Sequence, residues 1–386
     1  MPDTIYSQLK EAVSNDGVEA AFDQLIDRLR TEKKYHDLFS ARLMEGKHRL
    51  GLPVTSSDVL DDLAEPIRSQ VEKVYLDACK EVGHLLLAEG SLGEAWMYLR
   101  PVDGKAEMAA VLEAMEPDEE KLDDFVQVAV HEGVAPRRGF QMVLANYGIC
   151  NAITMYDSAM QDRPLEDKQQ TASLLVQSLH EDLAGNLKAE IAREQGDEPA
   201  EKTIGELVAD RDWLFLDDAY HIDTSHLHSV IRFARLIEDA DMLRLAIDLT
   251  EYGRRLGTAY HFQTEEPFSD PYVASALFFR AQLGEQADEA LEYFREKAEA
   301  LDVEEHGVGP AEVYVALLAR LGRHAEALQA AGELIPADAP ASGFAPSLLE
   351  LAQAAGEYQQ LMDICQSRED VLSFTAGLVE SNRQEG

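Results

Sequence analysis

The chain has 386 residues, 46% of them hydrophobic, more than one compact core of ordinary size holds, yet no Ser/Gly-rich or Pro-rich linker divides it. Its 73 acidic residues against 34 basic ones leave a formal charge of -39, so the surface repels phosphate and makes nucleic acid and anionic membrane poor partners. The acidic residues run along the whole chain, which suits a solvated surface in a salty cytoplasm where ions screen the self-repulsion.

The first residues, MPDTIYSQLKEA, have neither a cationic start nor an apolar stretch of the secretory kind, and no apolar run approaches the ~20 residues that cross a bilayer. A cytoplasmic location is expected. The three cysteines, Cys79, Cys150 and Cys365, lie far apart among apolar neighbours, as buried reduced thiols do. No Asn-Gly hairpin and no sustained alternation of period two is present, whereas apolar spacings of three and four run almost end to end. The expected fold class is all-α, an α-solenoid of antiparallel helix hairpins.

In chain order, Val82 and Gly83 are followed by the turn Gly90-Ser-Leu-Gly-Glu-Ala95 and by Leu99. Pro136 opens a helix through Ala145, and Gly148 interrupts it within Tyr147-Gly-Ile-Cys-Asn151. Residues 165–195 predict one long helix with a bend near Gly185, a brace for the middle of an array. Gly196, Asp197 and Pro199 end it, and Thr203 with Glu206 spells a capping box for a short helix. Asp223 or Thr224 caps an amphipathic helix through Ile231, Phe233, Ala234, Leu236 and Ile237. Ser269, Asp270 and Pro271 start the helix PYVASALFFRAQLG, closed by Gly284, and residues 286–301 carry an apolar stripe from Ala287 to Leu301. The same hairpin design recurs at 311–336 and 347–366, with turn glycines Gly284, Gly322 and Gly356 spaced 38 and 34 residues apart.

These segments resemble the tetratricopeptide repeat family, through Gly322-Arg-His-Ala-Glu-Ala327, Gly356-Glu-Tyr358 and the Gly83 to Leu99 stretch, over about half the chain. The small residue where two helices cross is the physical key, because it lets the backbones approach closely. The family's first-helix Trp and regular period are mostly missing, so the repeats are degenerate. The resemblance implies a binding or scaffold protein that holds a partner in a concave groove. Three sections are expected: N-terminal repeats over 1–116, an irregular helical middle over 117–212, and C-terminal repeats over 213–386, together one continuous array.

The most distinctive polar phrase occurs twice, as AYHIDTSH at 219–226 and AYHFQTEE at 259–266. Six of the eleven histidines fall between His131 and His261. On an ideal helix His221 and His226 lie roughly 140° apart and His226 and His228 about 160°, so a shared site requires that part of the segment be loop. Stacked repeats would bring Tyr220 with His221 and Tyr260 with His261 toward one space, near Asp217, Asp218 and Asp223, with Trp213 and Phe215 as an aromatic wall. That composition suits a cationic or polar neutral ligand, small or part of a peptide or protein. The competing structural reading packs each Tyr in a hairpin corner and lets each His bond a backbone carbonyl.

Two His-Glu pairs, His131-Glu132 and His180-Glu181, are expected near helix ends, where the dipole favours an imidazole. Cys150 has no basic neighbour and reads as packing. Phosphate-cradling glycine loops, nucleophile elbows and Cys-x-x-Cys motifs are absent from the sequence. The alternative to a binding protein is a metal-dependent enzyme acting on a small polar, sugar-like substrate. It would use a divalent metal on His221, His226 and His261, with Asp223 or Glu265 as fourth ligand.

Overall fold

A computed structural model describes residues 4–55, 63–257, 260, 270–300, 307–339 and 343–384. Every regular element among them is helical. Contacts cluster the chain into two compact units, Met1–Met142 and Val143–Gly386.

The first unit is a succession of helices in which α1 (Ile5–Asn15), α2 (Val18–Thr31), α3 (Tyr35–Arg49), α4 (Ile67–Glu89) and α5 (Leu92–Leu99) pack each on the next, and both α6 (Lys105–Ala114) and α7 (Glu119–Val126) pack on α5. The α4–α5 hairpin forms at the predicted turn, where Gly90 adopts the left-handed conformation that caps α4. A Cβ on Gly83 would lie 2.7 Å from Leu99, so the absent side chain is what lets these helices touch. Across α2, α3 and α4 runs an ion-pair chain. Glu81 accepts from Arg30 at 2.5 Å and from Arg42 at 2.7 Å, while the buried Glu45 accepts from Arg42 at 3.0 Å and Arg49 at 2.6 Å. Burial works to raise the Glu81 carboxyl, but the hydrogen bonds from Arg42 and Arg30 outweigh it and hold the group below the usual carboxylate range.

A helix over Pro136–Ala159 (α8) contains Gly148 at φ 78°, ψ 175°, the predicted interruption. Cys150 departs from expectation. The break exposes Tyr147 through Gly148 and leaves Cys150 on the surface, whereas Cys79 and Cys365 are buried as read. The second unit is organised around α9 (Leu165–Gln195), unbroken through Gly185, whose buried residues Ala172, Leu175, Val176, Leu179, Leu183, Leu187 and Ile191 form one stripe. It packs against α10 (Ile204–Ala209), α11 (Thr224–Ala234) and α12 (Ala240–Gly253). Thr203 and Glu206 make the predicted capping box, and Asp223 caps α11. The α11 helix stops at Ala234, so Leu236 and Ile237 lie beyond it. His180 and Glu181 sit within the body of α9, not near its end, because the apolar stripe continues past them to Ile191.

After α12 the unit continues through α13 (Pro271–Gln282), α14 (Ala287–Glu299), α15 (Gly309–Arg320), α16 (His324–Leu334), α17 (Leu348–Ala355), α18 (Tyr358–Ser367) and α19 (Val371–Gln384), each packed on the one before. Asp270 caps α13 with Pro271 in its first turn, and Gly284, Gly322 and Gly356 take positive φ at the three predicted turns. The all-α expectation therefore holds among the described residues, and helix pairs with short glycine turns are its repeating contact.

Candidate functional site

The loop between α10 and α11 carries most of the predicted site, and its shape comes from two consecutive non-glycine residues in the left-handed region, Asp217 (φ 55°) and Asp218 (φ 57°). Such backbone is uncommon outside glycine, although Asp tolerates it better than most residues do. It turns the chain after the 3-10 segment Asp212–Asp218 and leaves Leu216, Asp217, Asp218 and Tyr220 exposed. The Asp218 carboxylate lies close over Gly257, where an added Cβ would lie 2.3 Å from its Oδ1.

The repeated phrase does bring its tyrosines together. The Tyr220 and Tyr260 rings stand edge to face with centroids 5.3 Å apart, inside the range aromatic pairs favour. Tyr220 remains 55% exposed, so this contact sits at the surface, on the loop that also presents the two carboxylates. His261 lies outside the described residues, as does Glu265.

His221 turns the other way. Its side chain is only 3% exposed, and both ring nitrogens are engaged. The Tyr252 hydroxyl accepts the His221 backbone N–H at 2.7 Å and lies 3.1 Å from Nδ1, while Nε2 faces a Glu190 carboxylate oxygen at 3.3 Å. Tyr252 O–H can donate to an unprotonated Nδ1, leaving the proton on Nε2, which faces Glu190 as a charge contact. The His221 carbonyl in turn accepts from Asn186 of α9 at 2.8 Å. Burial lowers the His221 pKa and Glu190 opposes the shift, while burial raises that of Tyr252. Phe215 closes the cluster, its ring 5.4 Å from Tyr252 and 6.2 Å from His221.

Asp223 and His226 have local duties. Asp223 Oδ1 accepts from the Ser225 N–H at 2.8 Å, the Ser225 hydroxyl at 2.6 Å and the His226 N–H at 3.3 Å, which holds its carboxyl below the ordinary range, Ser225 contributing most. His226 occupies the first turn of α11. Among the described residues no group of three or more His, Cys, Asp or Glu side chains is arranged to hold a metal ion.

Sequence reasoning passed over Asp248. This residue of α12 accepts from the Ile204 and Gly205 N–H groups at 2.9 and 3.0 Å and pairs with His180 of α9 at 3.1 Å. It therefore ties three helices with one carboxylate. The only hint in the sequence is an acid within the apolar spacing of AIDLTEYG.

Comparison with protein-family models, with curated proteins and with solved structures gives no match.

Proposed function

We propose that this chain is a helical-repeat binding or scaffold protein of the tetratricopeptide-like kind, recognising a cationic group on a protein, peptide or small polar ligand. The observation that carries this reading is the contact of exposed Tyr220 with half-buried Tyr260, on the loop that also presents exposed Asp217 and Asp218. Aromatic faces attract cations through their quadrupole, and nearby carboxylates add a Coulomb term that salt weakens. The recurrence of glycine-turned helix pairs from α13 to α18 supports the repeat reading.

His221 contributes to that surface indirectly, by holding the loop to α9 and α12: its carbonyl accepts from Asn186, its backbone N–H and Nδ1 meet the Tyr252 hydroxyl, and its buried ring faces Glu190. The test is titration with a lysine-rich peptide against wild type and against Tyr220→Ala combined with Asp217→Asn and Asp218→Asn. Saturable binding that falls about tenfold in the triple variant and weakens with salt supports the proposal. Equal binding by both proteins counts against it. Metal analysis of untagged protein separates this reading from the metal-dependent enzyme, for which stoichiometric metal is required.

A further inference from the structure

The last residue of α15, Arg320, ends a helix whose other buried positions include Val315, Ala316, Leu317 and Leu318. Its side chain is only 9% exposed. Nη1 donates to the Arg235 carbonyl at 2.5 Å and to Gln282 Oε1 at 3.2 Å. The group also lies over the rings of Phe278 and Phe344, 5.2 and 5.5 Å from their centroids. Nε and Nη2 form no hydrogen bond among the described residues, and the nearest carboxylate oxygen, on Glu238, stands 3.9 Å from Nε. Burial pulls the Arg320 pKa down to about 10, the sign of a cation whose lost hydration is incompletely replaced.

Arg320 lines a cleft of about 470 Å³ whose remaining wall is largely apolar, with Leu165, Phe344, Pro346 and Leu351. His324 lines the same cleft, and its Nδ1 is buried without a hydrogen-bond partner. Two acids border the space, but neither supplies the missing bonds. Glu350 is held by the Ser347 N–H and hydroxyl at 2.8 Å each, and Glu238 accepts from Gln169 at 3.1 Å with its side chain 57% exposed.

The geometry points to a second binding site, one for a small organic acid with an apolar body, its carboxylate held side-on by Arg320 Nε and Nη2 and its hydrocarbon part against Phe344 and Leu351. The two free nitrogens are the edge of a guanidinium that matches a carboxylate with two parallel hydrogen bonds. The apolar lining supplies affinity, and the buried cation selects the anion over a neutral compound of equal length. Because the protein as a whole is strongly acidic, salt screens long-range repulsion of this ligand, so affinity holds or rises with ionic strength. That is the opposite of the response expected at the Tyr220 surface.

The experiment is calorimetric or saturation-transfer titration of the full chain with octanoate and with 1-octanol. Octanoate is expected to bind one per chain, with octanol about tenfold weaker or worse. Arg320→Lys keeps the charge and loses the fork, and about a tenfold loss of octanoate affinity is expected. Ala354→Phe fills the mouth of the cleft from an exposed position without touching Arg320, and is expected to abolish binding. Circular dichroism checks that each variant folds; if Arg320→Lys does not, Ala354→Phe and the octanol comparison decide. Absence of saturable octanoate binding, equal binding of octanol, or unchanged affinity in a folded Ala354→Phe protein overturns the proposal.

Discussion

Two arginine clusters, one in each unit, are satisfied differently. Along α2, α3 and α4 the guanidinium groups of Arg30, Arg42 and Arg49 meet carboxylates, with Glu81 and Glu45 each shared between two of them. In the second unit Arg320 meets a backbone carbonyl, an amide oxygen and two phenyl rings, and Arg235 donates to the Ser275 hydroxyl at 3.1 to 3.3 Å. Burial brings Arg235, like Arg320, down to about 10. A chain with a large surplus of acid thus leaves Arg320 with its recorded carboxylate contact, Glu238, no closer than 3.9 Å. Ion pairing serves helix seams in both units, as Arg280 with Glu251 does in the second, whereas Arg320 retains unspent hydrogen-bonding capacity.

The sharpest way to break this contrast is to remove the acid in one unit and the base in the other. Glu45→Leu removes one of the two carboxylates that hold Arg42 and the one that holds the more exposed Arg49, so the first unit is expected to lose about 2 kcal/mol in denaturant unfolding. Tyr252→Phe deletes the hydroxyl that serves both the backbone N–H and the ring of His221, and a loss of about 2 kcal/mol is expected in the second unit. Arg320→Met keeps apolar contact with Phe278 and Phe344 and strands no buried charge, so its cost is expected to be only about 1 kcal/mol. If Arg320→Met proves as damaging as Glu45→Leu, the distinction between the two clusters fails.

The pH response sharpens the same comparison. Burial depresses His221, and burial together with Arg232 and Arg235 depresses His228, each from an ordinary value of 6.5. Both are neutral in the folded and unfolded chain above that value. As pH falls below it the unfolded chain takes up protons first, so stability in the second unit declines until the folded pKa is passed. Glu81 in the first unit is lowered from 4.5, so its contribution is present above that value and is lost only at more acid pH. Peptide-resolved hydrogen exchange between pH 7 and about 5 is therefore expected to show earlier weakening around α11 and α12 than around α4. An effect as small as that of Arg320→Met is expected of Gly356→Ala, which places a Cβ at φ 73° and lowers stability by about 1 kcal/mol.

Much of the helical layout was legible because its signals are local. Asp270 with Pro271, Thr203 with Glu206, and the turn glycines announce helix ends within a few residues of where they occur. The candidate site was legible only in part. The doubled phrase correctly joins Tyr220 to Tyr260, but whether His221 faces solvent or core depends on Tyr252 and Glu190, 31 residues apart from it in each direction. The Arg320 cleft was missed for the same reason: its partners Arg235 and Gln282 lie 85 and 38 residues away. A cation ending the apolar run VYVALLAR was the available signal. Cys150 shows that apolar neighbours in sequence do not guarantee burial once a glycine breaks the helix beside them.

The close approach of Asp218 to Gly257 links two positions thirty-nine residues apart in the chain. A side chain at 257 would push the Asp218 carboxylate, the movable end of an exposed side chain, out of its present place. Gly257 thus sets where this acid can rest without fixing whether the loop folds.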